Sequence, residues 1–159
     1  MKKLPNRLLF VDDEPNIRAT LPIILQRYGF VVTVAATVPE ALAYVAKQQF
    51  DLLLCDLNIN GEANGLEVVR AMRLLNPSCV TIVLTGFPSP DTVRAGLHLG
   101  IDDYIHKPTD ANTLVAILAE KLISHQPRPQ NVTVESPEPI NRAEMKSETA
   151  LWQPDRLKP

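Results

Sequence analysis

Five short apolar runs punctuate this chain, and helical patterns fill the gaps between them. The runs are Leu8-Leu9-Phe10-Val11, Val31-Val32-Thr33-Val34-Ala35, Leu52-Leu53-Leu54-Cys55, Val80-Thr81-Ile82-Val83-Leu84 and Asp103-Tyr104-Ile105. Most are continuous rather than alternating. A strand with one wet face alternates polar and apolar residues, whereas a strand covered on both faces does not, and covering both faces is the habit of parallel sheets. Between the runs, Ile17, Leu21, Ile24, Leu25 and Tyr28 recur at three-to-four spacing, and Gly29 stops that helix. Ala41, Leu42, Val45 and Ala46 make a second apolar face, and Leu66, Val69 and Met72, with Arg73 beside them, a third. Ser89-Pro90 reads as an N-cap followed by proline at the first helical position, and Leu114, Ile117, Leu118 and Leu122 form a fifth face. Pro22 interrupts the first helix, where a lost backbone bond to Arg18 typically costs ~3 kcal/mol. The periodicity continues past it, so a kink is expected rather than a broken helix. Strand-helix alternation of this kind predicts an α/β fold, an open parallel sheet with helices on both faces.

Composition limits what such a sheet can serve. The length of 159 residues suits one domain and a modest appendage, and the apolar content is carried by Leu, Ile, Val and Ala because aromatics are only 5%. A formal net charge of −2 without any Lys/Arg block gives no electrostatic footprint for nucleic acid. The basic start, Met1 to Arg7, precedes an apolar run far too short for a signal peptide or a membrane span, so a soluble cytoplasmic protein is expected. Cys55 and Cys79 sit inside apolar runs without metal-type spacing and read as buried thiols. At Ser124 the texture breaks. Pro127, Pro129, Pro137, Pro139, Pro154 and Pro159 crowd a stretch with few apolar residues, so 6–123 is expected to fold and 124–159 to be a Pro-rich disordered tail or docking segment, with a short helix conceivable over Asn141–Trp152.

In an open parallel sheet, ligands bind beyond the carboxyl ends of the strands. Asp12 and Asp13 follow the first run, Asp56 ends the third, Thr85 ends the fourth, and Lys107-Pro108 follows the fifth. Each has an ordinary explanation alone: Asp13 as a helix cap, Asp56 as a turn residue, Thr85 as a β-branched strand end, Lys107 as a solvated charge. None of these explains convergence on one edge. Three carboxylates gathered without a cation would raise one another's pKa, and an all-oxygen donor set suits Mg²⁺. Mg²⁺ and Lys107 would neutralise the oxygens of a phosphoryl group in flight, Asp56 would attack as nucleophile, and Thr85 would donate a hydrogen bond to the new phosphate.

Val11-Asp12-Asp13-Glu14, Leu54-Cys55-Asp56-Leu57, Leu84-Thr85-Gly86 and Asp102-Asp103-Tyr104-Ile105-His106-Lys107-Pro108 together resemble the motif set of response-regulator receiver domains, over roughly residues 6 to 123. The resemblance implies a flavodoxin-like doubly wound sheet of five parallel strands in the order 2-1-3-4-5, with five helices. It implies that Asp13 binds Mg²⁺ directly and Asp12 through water, that the backbone carbonyl of Asn58 completes the metal shell, and that Asp56 is the phosphoryl acceptor. Thr85 and Tyr104 match the switch pair, Lys107 the phosphate-binding lysine, and the bond to Pro108 is expected to be cis. A face including Val93, Leu97, His98, Tyr104 and His106 would then change shape on phosphorylation. A sensor histidine kinase or phosphotransfer protein is the implied donor, and a stand-alone receiver acting through a protein partner is the implied architecture. An aspartate-nucleophile phosphohydrolase would need a second acid where Asn58 stands; a receiver-like binding module that is never phosphorylated is the other alternative. The chain departs from the family pattern in three places. The loop Leu57–Gly65 is one residue longer than usual and has Asn60 where many receivers place proline. Phe87 stands two residues after Thr85, where a bulky ring is expected to shield the acyl phosphate from water. Thr109 replaces a common aromatic.

Overall fold

The computed structural model describes residues 6–125 except Ala63 and Pro108. The expected cis bond at Pro108, the Asn141–Trp152 helix and all but the first two residues of the expected tail lie outside the described residues. Among the described residues ten elements alternate: β1 (Arg7–Val11), α1 (Pro15–Arg27), β2 (Val31–Ala35), α2 (Val38–Lys47), β3 (Leu52–Asp56), α3 (Gly65–Leu75), β4 (Val80–Thr85), α4 (Pro90–Leu99), β5 (Asp103–His106) and α5 (Ala111–Ser124). All strand pairings are parallel, in the order β2-β1-β3-β4-β5.

The continuous apolar runs are continuous because both faces of the central strands are covered. Leu8, Phe10, Leu52, Leu54, Ile82 and Leu84 point to one side and pack with Leu21 and Leu25 of α1 and Leu114, Val115 and Leu118 of α5. Leu9, Val11, Leu53, Cys55 and Val83 point to the other, against Val38, Ala41 and Val45 of α2 and Val68, Val69 and Met72 of α3. The period of two along each strand thus divides one apolar run between two cores. Each fully buried Leu or Phe contributes about 1.5–3 kcal/mol relative to exposure.

Helix ends follow the local chemistry. Ser89 caps α4, with its side chain accepting from the Thr92 N–H and the Thr92 hydroxyl accepting from the Ser89 N–H. Asp110 caps α5 through the Thr113 N–H, and Gly29, at φ 90°, follows α1. α1 runs unbroken through Pro22, whose buried ring faces the core. Tyr28, expected on the buried face, is 54% exposed; its hydroxyl donates to Asn112 Oδ1 and ties the end of α1 to α5. Both cysteines are buried free thiols, and burial pushes that of Cys79 up to about 12. No helix among the described residues is long and apolar enough to cross a membrane.

Candidate functional site

In the strand order just given, the chain's winding reverses between β1 and β3, and a crevice opens where neighbouring loops diverge to opposite faces. The carboxylates lie there. Asp12, fully buried, follows β1; Asp56, 6% exposed, is the last residue of β3. One oxygen from each of Asp12, Asp13 and Asp56 lies within 4.8 Å of the others. Lys107, arriving from β5, places its Nζ 2.7 Å from Asp12 Oδ2 and 2.9 Å from Asp56 Oδ2, with Glu14 Oε1 further off at 3.6 Å. Its backbone N–H donates to the Thr85 carbonyl at 2.8 Å, which fixes the lysine against the end of β4. The sequence expectation of convergence is met by all five of Asp12, Asp13, Asp56, Thr85 and Lys107.

Asp13 does not cap α1: Glu14 is the N-cap, its own side chain makes no capping hydrogen bond, and its N–H donates to Asp12 Oδ1 at 2.9 Å. The Asp13 carboxylate instead accepts from the Asn60 N–H at 2.9 Å. Asp56 Oδ1 accepts from the Asn58 N–H at 3.1 Å, so Asn58 meets the Asp56 carboxylate through its amide. Thr85 is buried, and its Oγ1 accepts from the Phe87 N–H at 3.3 Å. Tyr104 is half-buried; its hydroxyl donates to the Thr92 carbonyl in α4 at 2.7 Å, and its ring lies against Gly96, where an added Cβ would stand 2.8 Å from the hydroxyl oxygen.

Electrostatically the edge is short of positive charge. Burial pushes the Asp56 carboxyl above its usual range; the hydrogen bond and charge of Lys107 and the Asn58 N–H oppose this, and the Asp12 charge adds to it. Burial would lower Lys107, but its hydrogen bonds to Asp12 and Asp56, reinforced by their charges, raise it instead. One ammonium for three carboxylates suits a divalent cation, and the all-oxygen donor set fits Mg²⁺ better than a softer metal.

Three contributors escaped the sequence reading. Arg18 donates to the Asp12 carbonyl at 3.1 Å and the Asp13 carbonyl at 2.6 Å, clamping the backbone that carries the acidic pair. Its signal was its place one turn into α1, because helical side chains tilt toward the N-terminus and a long one reaches the preceding loop. Gly65 is the second: a Cβ there would lie 2.0 Å from the Asp56 carbonyl oxygen, so only glycine allows α3 to start this close to β3. The Asn60 amide is the third; the sequence reading noted the residue but not its bond.

The receiver-domain model of response regulators matches residues 8–119. The photosynthetic apparatus regulatory protein RegA of Cereibacter sphaeroides is 35% identical over 124 residues, covering 78% of this chain and 67% of RegA. Other curated relatives are longer: the chain spans only 26% of a transcriptional regulatory protein that it matches at 34% identity. A CheY-like receiver domain protein from Methanospirillum hungatei superposes with a TM-score of 0.71 at 32% identity, over 76% of this chain and 96% of that one. A Burkholderia pseudomallei response regulator, solved with a phosphorylated aspartic acid, calcium ion and citrate, gives a TM-score of 0.67 at 25% identity, over 92% of this chain and 74% of that one.

Proposed function

The chain belongs to the response regulator receiver domain family, and on that premise we propose that Asp56 accepts a phosphoryl group from a phosphohistidine of a sensor kinase or phosphotransfer protein. A receiver is the signalling module of a two-component system rather than a conventional enzyme. The observation that carries the assignment is the Lys107 ammonium bridging Asp12 and Asp56 at 2.7 and 2.9 Å beside Asp13. The Burkholderia relative, with its phosphorylated aspartate and bound divalent ion, supports the same reading.

In this reaction an Asp56 oxygen attacks phosphorus, an O–P bond forms, the P–N bond to histidine breaks, and the imidazole leaves with the electron pair. Asp12, Asp13, Asp56 and the Asn58 carbonyl would hold Mg²⁺, which would supply charge neutralisation for the phosphoryl oxygens. Lys107 shifts from carboxylate to phosphate, and Thr85 turns its hydroxyl from the Phe87 amide toward the new group. The added charge of about −1.5 to −2 draws Thr85 away from the Tyr104 side, and the ring follows. Because Tyr104 is bonded to the Thr92 carbonyl, its movement must break that bond or carry α4 along. Output then passes through the face of Val93, Leu97, His98, Tyr104 and His106 to a cytoplasmic protein partner without direct nucleic-acid contact; Leu97 is 67% exposed there. The receiver occupies 6–123, and 124–159 serves as a tail or docking segment.

The test is incubation with acetyl phosphate and Mg²⁺ followed by intact mass. One added phosphoryl group is expected, lost on chelating the metal and absent from Asp56→Asn. Modification that persists in Asp56→Asn would move the acceptor elsewhere, and no modification by acetyl phosphate or any kinase would make the chain a binding module.

A further inference from the structure

The loop after Asp56 is closed by a small hairpin. Ile59 and Glu62 form an isolated antiparallel bridge, with Ile59 N–H to Glu62 carbonyl at 3.0 Å and the return bond at 3.3 Å. Asn60 and Gly61 between them sit at φ 56° and 80°. Positive φ at both central residues is what a type I′ turn requires, and Asn-Gly is its favoured pair. The loop therefore turns through a tight two-residue hairpin. Its base is fixed: Ile59 is fully buried in the α2/α3-side core, and the loop is closed by Asn64 N–H to Glu62 and Gly65 N–H to Leu57, at 2.8 and 2.9 Å. From the tip, the Asn60 N–H points across to Asp13 Oδ2 at 2.9 Å. Among the described residues this is the one hydrogen bond that the Asp13 carboxylate accepts. A proline at position 60 could supply neither the donor nor the positive φ.

We propose that the Asn60 backbone N–H is a positioning group for the metal-binding carboxylate, holding Asp13 Oδ2 so that Oδ1 faces the ion. The inference rests on the reading above, in which Asp13 ligates Mg²⁺. Asp13 comes from the loop after β1, and among the described residues nothing else restrains its carboxylate: Lys107 is engaged by Asp12 and Asp56, and Arg18 grips only backbone oxygens. A carboxylate that must be ordered by the ion itself binds more weakly than one ordered beforehand, and losing such an outer partner costs about 10–100-fold in metal affinity. The hairpin is solvent-exposed at its tip, which places the effect at the lower end of that range.

Calorimetric Mg²⁺ titration of the full chain and amide NMR test this together. Asn60→Gly keeps both the N–H and the positive φ, and its Mg²⁺ dissociation constant stays within about twofold of wild type. Asn60→Pro removes the donor and weakens Mg²⁺ about tenfold. Because that variant also disturbs the turn, the bond is read directly in an unaltered loop: Asp13→Ala shifts the Asn60 amide proton upfield and speeds its exchange, and saturating Mg²⁺ leaves the wild-type amide protected. Equal Mg²⁺ affinity in the Asn60→Pro and Asn60→Gly variants overturns the proposal, as does an Asn60 amide indifferent to Asp13→Ala or one that Mg²⁺ releases. If wild type binds no Mg²⁺ at all, the metal reading itself falls and takes this inference with it.

Discussion

The two ends of the sheet treat buried charge in opposite ways. At the amino edge, Arg73 of α3 reaches under the starts of β4 and β5. It donates to the carbonyls of Cys79, Leu99 and Gly100 at 2.8, 3.3 and 2.6 Å, to the Thr81 hydroxyl, and to Asp102 Oδ2 at 2.9 Å. Asp102 also accepts from the Thr81 N–H at 2.8 Å and lies 3.6 Å from His125 Nδ1. Burial would raise the Asp102 carboxyl, but the Thr81 N–H and Arg73 outweigh it and hold it below the usual range. At the carboxyl edge one lysine serves three carboxylates, and Asp56 is pushed up instead. A saturated ion pair has nothing left to bind. An unsaturated cluster keeps capacity for a cation.

The sharpest way to break this comparison is Arg73→Met. It leaves Asp102, 16% exposed at its side chain, without its guanidinium partner, and removing one member of a fully buried pair costs about 3–5 kcal/mol, the upper bound for this part-buried one. Denaturant unfolding should show that loss with an unchanged slope; a loss below about 1 kcal/mol would reduce the network to ordinary surface pairing. The matching experiment at the carboxyl edge attacks backbone rather than charge. In Gly65→Ala, the new Cβ meets the Asp56 carbonyl at 2.0 Å, and overpacking of this kind costs about 1–3 kcal/mol. If Asp56 is the acceptor, phosphorylation by acetyl phosphate should fall with it, because the clash falls on the Asp56 backbone itself.

How much of this was legible beforehand divides along the same line. The central strands β1, β3 and β4 were readable because both-face burial leaves continuous apolar runs. Each was placed within one residue, and β3, β4 and β5 run one residue further, onto Asp56, Thr85 and His106. Those residues keep ladder geometry while carrying polar groups, so hydrophobicity stops before the strand does. The carboxyl-edge residues were legible because they stand at strand ends, where an open parallel sheet gathers polar side chains from separate strands. Arg73 was counted with the apolar face of its helix, and that misfit was the signal: an arginine among Val69 and Met72 needs buried acceptors. Which acceptors could not be read, because three are backbone carbonyls with no sequence signature. Arg18 and Asn60 were hidden for the same reason, each acting through a main-chain group.

Asp56→Asn should act in the opposite sense to Arg73→Met. The Asp56 pKa is raised on folding, so its favourable contribution is present below the unfolded value of about 3.9 and is lost as pH rises through the folded value. Asp102 is lowered, so its contribution is present above that unfolded value and is lost as pH falls through the folded one. Without divalent cations at neutral pH, Asp56→Asn is therefore expected to raise the thermal midpoint, by less than either loss above. The gain should vanish toward acid pH, where Arg73→Met also loses its penalty. Mg²⁺ at 100 times its dissociation constant should stabilise wild type by about 2.7 kcal/mol and the Asp56→Asn protein by less. A neutral-pH midpoint lower in Asp56→Asn than in wild type would mean that Lys107 satisfies the cluster after all.

Phe87 should give the smallest effect, and it tests how far the carboxyl edge extends. The sequence alone suggests a ring covering the acyl phosphate. In the structure Phe87 is 85% exposed and packs on almost nothing. It borders a cleft of roughly 550 Å³ that Glu14, Lys107 and the apolar side chains of α1 also line. What ties Phe87 to the site is its backbone N–H on Thr85 Oγ1, which any residue but proline would provide. Shielding would need the ring to swing inward when Thr85 turns to the phosphate and releases that amide. Phe87→Ala is accordingly expected to speed dephosphorylation by about twofold, ~0.4 kcal/mol of barrier, measured as decay of the phosphorylated form after desalting away the donor. No change would leave the lifetime to Lys107 and the metal alone. A tenfold acceleration would show that the ring closes over the phosphate, and that the unsaturated edge is completed on phosphorylation by an apolar group as well as by charge.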